Sequence, residues 1–190
     1  MAEQALVSPA TLRKLLDYDP ATGLLYWRER GPELFTRDAD RRTWNAKFSG
    51  KPAFTTARRS GYLASEIFNR PHVAHRVAWA LFYGVWPEAE IDHINGRRDD
   101  NRIANLRDVS RTENNRNKQR STRNRSGVTG VSVDTLTGRW RAQIGVGRRA
   151  LFLGLYNSLE EALAARKEAE GRYGFHDNHG RDPPLGAQPA

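Results

Sequence analysis

Residues 91–118, IDHINGRRDDNRIANLRDVSRTENNRNK, bring one histidine together with many amide, acidic and guanidinium side chains. His93 has an ordinary pKa of about 6.5, so at neutral pH it can accept a proton from a water molecule. Asp92 offers an anionic oxygen and the asparagines offer neutral ones, and a hard divalent cation prefers such ligands. A cation bound beside a base would neutralise charge on a scissile phosphate. The segment therefore predicts metal-assisted phosphodiester hydrolysis.

Asp92 and His93 are neighbours in the chain, and this limits how they can share one site. Successive side chains of a strand point to opposite faces, so both can serve one site only if the chain leaves regular β geometry there. Asn95-Gly96 indicates a turn at this point. The asparagines could instead only make turns, with Asp92 and His93 in a structural contact, but the ordered set of residue types favours the catalytic interpretation.

The stretch DHINGRRDDNRIANL, followed by TENNRN on a predicted helix, resembles the HNH endonucleases, and within them the homing-type group that is common in phages. The resemblance covers about residues 60–118. It implies a ββα-metal core that cuts DNA with a divalent cation, Mg²⁺ in this prediction. The implied site residues are the general base His93, the metal ligands Asp92 and Asn114, and Asn105, which braces the catalytic loop. Asn117 lies on the same predicted helix and is an alternative to Asn114 as the ligand.

The elements that must position this motif follow from hydrophobic spacing and turn residues. The pattern predicts a helix over residues 8–19, a strand over 24–30, a strand near 62–68 and a helix near 73–83. Residues 31–60 predict loops and short strands. His75 falls on the second helix, where a core or buttressing role is favoured over that of a second catalytic histidine.

The C-terminal part shows a different organisation. Residues 116–127 are rich in basic side chains, which predicts a solvated linker. Three alternating runs with Gly-containing turns then predict an antiparallel sheet, and Ser158 with Glu161 predicts the start of a helix. This order resembles the APETALA-type (ethylene-response-factor-like) DNA-binding domains over about residues 127–172. Several base-contacting arginines of that family fall on other residue types here, so the resemblance implies DNA binding without a target sequence.

The composition favours a polyanionic partner, because the 190 residues carry a net charge of +9. No apolar run approaches the roughly 20 residues that span a bilayer, so no membrane partner is expected. No obligate protein partner is evident either. The absence of cysteine excludes disulfides, thiolate-bound zinc and a cysteine nucleophile. Since the N-terminus lacks a signal-peptide pattern, the expected location is the cytoplasm of a bacterial host, with a phage as the expected origin.

Together these patterns predict an α+β protein, in which a ββα-metal nuclease core is joined to a small three-stranded antiparallel sheet packed on one helix. The expected parts are an accessory segment 1–60, the core 61–118, the linker 116–127, the DNA-binding module 128–174 and a tail 175–190. The expected contacts to double-stranded DNA are Arg97, Arg98, Arg102, Arg116, Lys118, Arg120, Arg123, Arg125, Arg139, Arg141, Gln143, Arg148 and Phe152. The alternative function is a regulatory or architectural DNA-binding protein whose nuclease scaffold is inactive.

Overall fold

The structure is a computed structural model of the chain and describes residues 7–115, 124, 126–147, 149–175 and 179–180. It divides into two compact units, Met1–Asp108 and Val109–Ala190, each with its own hydrophobic core. Both units mix helices with small antiparallel sheets, as the α+β prediction requires. In the described part of the chain, no helix combines the length and the apolar character needed to cross a membrane.

The first unit begins with α1 (Pro9–Leu15), which starts where the Ser8 hydroxyl accepts a hydrogen bond from the Thr11 N–H at 3.1 Å. This helix is shorter than predicted, because the chain becomes extended at Leu16. The strands that follow are β1 (Leu16–Tyr18), β2 (Leu25–Trp27) and β3 (Pro52–Ala53), which form an antiparallel sheet in that order. The strand predicted over 24–30 is confirmed as β2.

The prediction of loops and short strands over residues 31–60 holds for the strands Pro52–Ala53 and Thr56–Ala57 but is wrong for α2 (Asp38–Phe48), which runs through this stretch. No residue of α2 is fully buried, so the helix lacks the strong apolar periodicity that identifies helices in a sequence. Asp38 in its first turn suits the positive end of the helix dipole. Trp44 and Phe48 lie one turn apart with ring centroids 5.2 Å from each other, and both pack against the core of this unit.

A second sheet leads directly into the third helix. Its elements are β4 (Thr56–Ala57), β5 (Leu63–Ile67), β6 (Arg70–Val73) and then α3 (Ala74–Tyr83). The strand predicted near 62–68 and the helix predicted near 73–83 are confirmed. Leu12 and Leu15 of α1 share one buried cluster with Val77 and Ala80 of α3. The segment before residue 60 is therefore part of the core on which α3 rests.

The first unit ends with a two-stranded sheet of β7 (Glu90–His93) and β8 (Leu106–Val109). Residues 94–105 connect the two strands and end in a 3₁₀ turn, Ile103–Asn105. Ile91 and Leu106 pack with Ala78 of α3 in a small buried cluster. The sheet is thereby fixed to α3, with the connecting residues at one end.

The second unit contains a three-stranded sheet with a helix packed on it. Its elements are α4 (Arg111–Asn115), β9 (Val131–Val133), β10 (Trp140–Val146), β11 (Arg149–Tyr156) and α5 (Leu159–Arg172), and β10 lies between β9 and β11. The predicted sheet and helix are confirmed. The Ser158 hydroxyl accepts a hydrogen bond from the Glu161 N–H at 3.2 Å and begins α5. Ala162 packs against Val131 and Ala142, and such small side chains let the helix lie close to the sheet.

Candidate active site

His93 stands at the end of β7 and is nearly inaccessible to solvent, with 3% of its surface exposed. The chain turns immediately after it, since the Gly96 N–H donates to the His93 carbonyl at 2.7 Å. The Nε2 atom of His93 lies 3.2 Å from Oδ1 of Asn101, which is only 2% exposed. Because this oxygen can only accept, Nε2 carries the hydrogen and Nδ1 carries the lone pair. The contact therefore holds His93 in the tautomer whose Nδ1 is basic.

Two aromatic rings pack against the imidazole of His93. The ring centroid of His75 lies 5.2 Å from that of His93, and the ring centroid of Tyr62 lies 5.8 Å from it. Tyr62 and His75 also contact each other, with centroids 4.7 Å apart. His75 is itself buried. This position agrees with the expected buttressing role of His75.

Burial is the main influence on the protonation of both histidines. It lowers the pKa of His93, against smaller opposing effects of the Asn101 hydrogen bond and of the negative charges of Asp92 and Asp100. It lowers the pKa of His75 to about 3, with the neighbouring His93 contributing in the same direction. Both imidazoles are therefore neutral at pH 7, and a neutral imidazole is the form that can act as a base.

Asp92 precedes His93 on β7 and is also buried. Its Oδ2 accepts hydrogen bonds from Nε and Nη2 of Arg107, at 2.9 and 2.7 Å. Arg107 lies on β8, the strand paired with β7. Arg107 is not among the residues that the sequence predicts for the site, although it lies on the strand directly after the loop. A predicted metal ligand thus has a guanidinium partner in this structure.

Asn105 ties the connecting loop together, as expected of a residue that braces it. Its Oδ1 accepts from the Asn95 N–H at 3.0 Å, and its Nδ2 donates to the Asp100 carbonyl at 2.8 Å. Its own carbonyl accepts from the Ile94 N–H at 2.9 Å. The Asn95 side chain in turn donates to Asp100 Oδ2 at 2.7 Å. One buried amide therefore links both ends of the loop that follows His93.

The three predicted DNA contacts in this loop are exposed arginines, but each already has a protein partner. Arg102 donates to Asp100, and this is the main reason that the pKa of Asp100 falls to about 2. Arg97 lies 3.6 Å from Asp99, and Arg98 donates to the Ser60 carbonyl at 2.6 Å. Asp99 is exposed, so a phosphate could displace it from Arg97, whereas the side chain of Asp100, which holds Arg102, is only 10% exposed.

Asn114 lies on α4, in the second unit, after a capping box at Ser110. The Ser110 N–H donates to Glu113 Oε2 at 2.9 Å, and the Glu113 N–H donates back to the Ser110 hydroxyl at 3.3 Å. Several predicted residues lie outside the described part of the chain, and these are Arg116, Asn117, Lys118, Arg120, Arg123, Arg125 and Arg148. The choice between Asn114 and Asn117 as a ligand remains a prediction.

Of the predicted residues of the C-terminal sheet, Arg141, Gln143 and Phe152 lie on strands, and Arg139 directly precedes β10. Arg141 is exposed on β10, and its guanidinium lies 5.5 Å from the ring centroid of Phe152, which is 58% exposed. Gln143 pairs with Phe152 across the two strands. Arg139 donates to the Asn157 side chain at 3.0 Å. These side chains provide positive charge and an exposed aromatic ring in one sheet.

The donor types near His93 suit a hard cation, since the Asp92 carboxylate and the asparagine amides are oxygen ligands. In the ranges that the structure describes, no group of three or more histidine or acidic side chains could hold a metal ion. A cation here would therefore depend on Asp92 together with amide oxygens. Such a donor set fits Mg²⁺ better than a metal that prefers nitrogen or sulfur.

Comparisons with known proteins bear on one segment of the chain. Searches of curated proteins and of solved structures found no match. A family model described as HNH endonuclease matches residues 72–116. This segment is shorter than the resemblance predicted over 60–118, but it contains Asp92, His93, Asn105 and Asn114 in one continuous stretch. Residues 72–116 thus form the part of the chain that matches the HNH endonucleases, and this match supports a nuclease.

Proposed function

We propose that the protein is a DNA endonuclease of the HNH homing type, which hydrolyses phosphodiesters of double-stranded DNA with a divalent cation, Mg²⁺. We place it in the cytoplasm of a bacterial host, with a phage as its source. The observation that carries the proposal is the neutral, buried His93, which Asn101 orients inside the segment that matches the HNH endonucleases.

In the proposed mechanism, Nδ1 of His93 takes a proton from a water molecule as the water oxygen attacks phosphorus. The P–O bond to the 3′ oxygen breaks, and that oxygen takes a proton from solvent, which leaves a 3′-hydroxyl and a 5′-phosphate. Asp92 and Asn114 are the proposed ligands of the cation, which would neutralise the charge that develops on the phosphate. Asn105 keeps the loop after His93 in place through its two side-chain hydrogen bonds.

The proposed nuclease core is a ββα-metal arrangement made by β7, β8 and the helix that begins at Arg111. The C-terminal sheet is proposed to be an APETALA-type module that holds the target DNA. The support is the exposed pair of Arg141 and Phe152, since a basic sheet face of this kind suits the major groove. The basic residues between residues 116 and 127 would add contacts to phosphates.

A second candidate is a regulatory or architectural DNA-binding protein whose nuclease scaffold does not cut. The ion pair of Arg107 with Asp92 is the observation that favours it. This pair gives the Asp92 carboxylate a partner other than a metal cation. Asp92 could therefore have a structural role in a protein that does not cut DNA.

Incubation of the purified protein with plasmid DNA, with Mg²⁺ or with a chelator, separates the two candidates. Cleavage is expected only with Mg²⁺, and His93→Ala should lower the rate by about 10² to 10⁴ because the general base is lost. DNA affinity should not change in this variant. His72→Ala is a matched control, since His72 is also buried in the matched segment but packs on Trp86 instead.

Two outcomes would contradict the proposal. Cleavage by His93→Ala at the rate of the unmodified protein would remove His93 as the base. Tight DNA binding without any cleavage in Mg²⁺ would support the second candidate.

A further inference from the structure

A cleft of about 450 Å³ lies in the first unit between β2, α2 and the turn that joins β5 to β6. Trp44, Phe48 and Phe68 provide aromatic walls, while Arg30, Glu66 and Asn69 provide polar groups. None of these residues belongs to the site around His93. The volume falls within the range of about 300 to 1,000 Å³ that is usual for small-molecule sites.

Within the described ranges, Arg30 is held in this cleft by aromatic rings and backbone contacts and has no ionic partner. Its guanidinium carbon lies 3.7 Å from the ring centroid of Trp44 and 5.2 Å from that of Trp27. The Asn45 side chain clamps the backbone of Arg30, accepting from its N–H and donating to its carbonyl, both at 3.0 Å. In the described part of the chain, the buried Nε of Arg30 has no hydrogen-bond partner. A guanidinium placed in this way is ready to bind a phosphate or a carboxylate.

Phe68 occupies a backbone position that a phenylalanine rarely adopts. Ile67 pairs with Arg70, so Phe68 and Asn69 form a two-residue turn, with φ angles of 51° and 58°. Such turns favour asparagine or glycine, and a bulky side chain at positive φ is strained. The ring of Phe68 is nevertheless 48% exposed at the edge of the cleft. Burial in the core therefore does not explain why a phenylalanine stands at this strained position. Binding of a ligand would explain it, because strained residues cluster at functional sites.

A nucleotide matches the combined chemistry of these groups. Its phosphate would suit the guanidinium of Arg30, and its base would stack on an exposed aromatic ring such as Phe68. The carboxylate of Glu66 and the amide of Asn69 offer an acceptor and a donor for the edge of a base. The net charge of +9 also favours a nucleic acid over an acidic peptide of low charge density.

We infer that this cleft binds one unstacked nucleotide of a DNA strand, with its phosphate on Arg30 and its base on Phe68. The choice of DNA rests on the proposed nuclease function, but the binding itself requires neither the metal nor His93. The cleft would thus give the protein a second point of contact with DNA that has left the double helix, where a base can be reached.

The test uses the full chain with a chelator present, so that no cleavage occurs. Binding is measured by fluorescence anisotropy with a labelled thymidine oligonucleotide and with an abasic strand of equal length. Phe68→Asn should lower the affinity for the thymidine strand by about 5- to 100-fold, as expected for the loss of one stacked base. The affinity for the abasic strand should not change. Arg30→Gln should lower the affinity for both strands, because both carry phosphates.

Two comparisons make the result specific. Arg42→Gln removes the same charge from an exposed side chain of α2 that pairs with Asp38, and it should weaken binding less than Arg30→Gln. Phe68→Asn should also raise the melting temperature, because asparagine accepts the positive φ at this turn. A loss of binding in this variant then cannot result from unfolding.

Equal effects of Arg30→Gln and Arg42→Gln, with no effect of Phe68→Asn on the thymidine strand, would overturn the inference. Cleavage that depends on His93 would still stand in that case, so the two failures are distinguishable. Thymidine monophosphate serves as a further probe. If Arg30→Gln lowers the affinity for thymidine monophosphate but not for the two strands, the cleft binds free nucleotides. The inference of a DNA strand is then wrong.

Discussion

The contact between Asn101 and His93 gives the sharpest test of the proposed base. Burial lowers the pKa of His93, so the acid limb of the pH–rate profile should lie below pH 6.5. Asn101→Asp replaces the neutral acceptor at Nε2 with a carboxylate of the same shape. A carboxylate stabilises the imidazolium and raises the pKa of His93, so the acid limb should move upward. Asn101→Ala removes the acceptor and should lower the rate without such a shift.

The size of the shift follows from the geometry. The two side chains are 3.2 Å apart and both are almost fully buried, so solvent screens the contact little. A hydrogen bond to a charged group contributes about 1.5 to 3 kcal/mol, against about 1 kcal/mol for a neutral one. The difference of about 1 kcal/mol corresponds to roughly one pH unit, since one pKa unit equals 1.36 kcal/mol.

The assay is single-turnover cleavage of a plasmid at saturating Mg²⁺ between about pH 5 and 8, where histidine titrates. Single-turnover rates exclude product release from the profile. The reasoning is refuted if the acid limb of Asn101→Asp coincides with that of the unmodified protein. A limb that shifts upward equally in Asn101→Ala would also refute it, because the shift would then not come from the new charge.

Two further predictions concern the metal site and the C-terminal sheet. Arg107→Gln should lower the Mg²⁺ concentration for half-maximal cleavage, since the guanidinium no longer competes for Asp92 Oδ2, and a rise would show that Arg107 instead holds the ligand in place. Gly130→Ala should destabilise the sheet by more than about 2 kcal/mol in denaturant unfolding, because its Cβ would clash with the Gln143 carbonyl at a φ of 79°. Gly127→Ala, with a φ of 80° but no atom of the described residues within 4 Å of the added Cβ, should cost only about 1 kcal/mol. Equal losses would disprove the clash.

Local patterns in the sequence predicted the elements whose apolar periodicity is strong. The alternation along β10 and the stripe on α3 are examples, because their buried side chains recur at the period of the element. The helix α2 was missed for the opposite reason, since none of its residues is fully buried and Trp44 and Phe48 are only partly buried. The position of this helix depends on packing against residues that are distant in the chain. Hydrophobic periodicity within the helix does not indicate such packing.

The candidate site was predictable only in part. The ordered types at Asp92, His93 and Asn105 indicated phosphodiester chemistry, because they bring an oxygen ligand for a cation, a base and a loop-bracing amide into one short segment. The partners Asn101 and Arg107 were not predicted in these roles, although both lie within the same motif. Their roles depend on the path of the loop after His93, and that path is set by tertiary contacts.

These contacts come from the N-terminal segment, about which the sequence was least informative. The Tyr18 hydroxyl donates to the Asn101 carbonyl at 2.8 Å, and the Ile103 N–H donates to the Pro20 carbonyl at 3.1 Å. A Cβ at Gly23 would lie 2.5 Å from the Arg102 nitrogen, so only glycine lets the turn before β2 approach the loop this closely. The backbone from Asn101 to Ile103 is therefore fixed by residues about 80 positions earlier, as the separation of 83 for Tyr18 shows. Because Asn101 in turn contacts His93, the first strands and their turn support the loop residue that orients the proposed base.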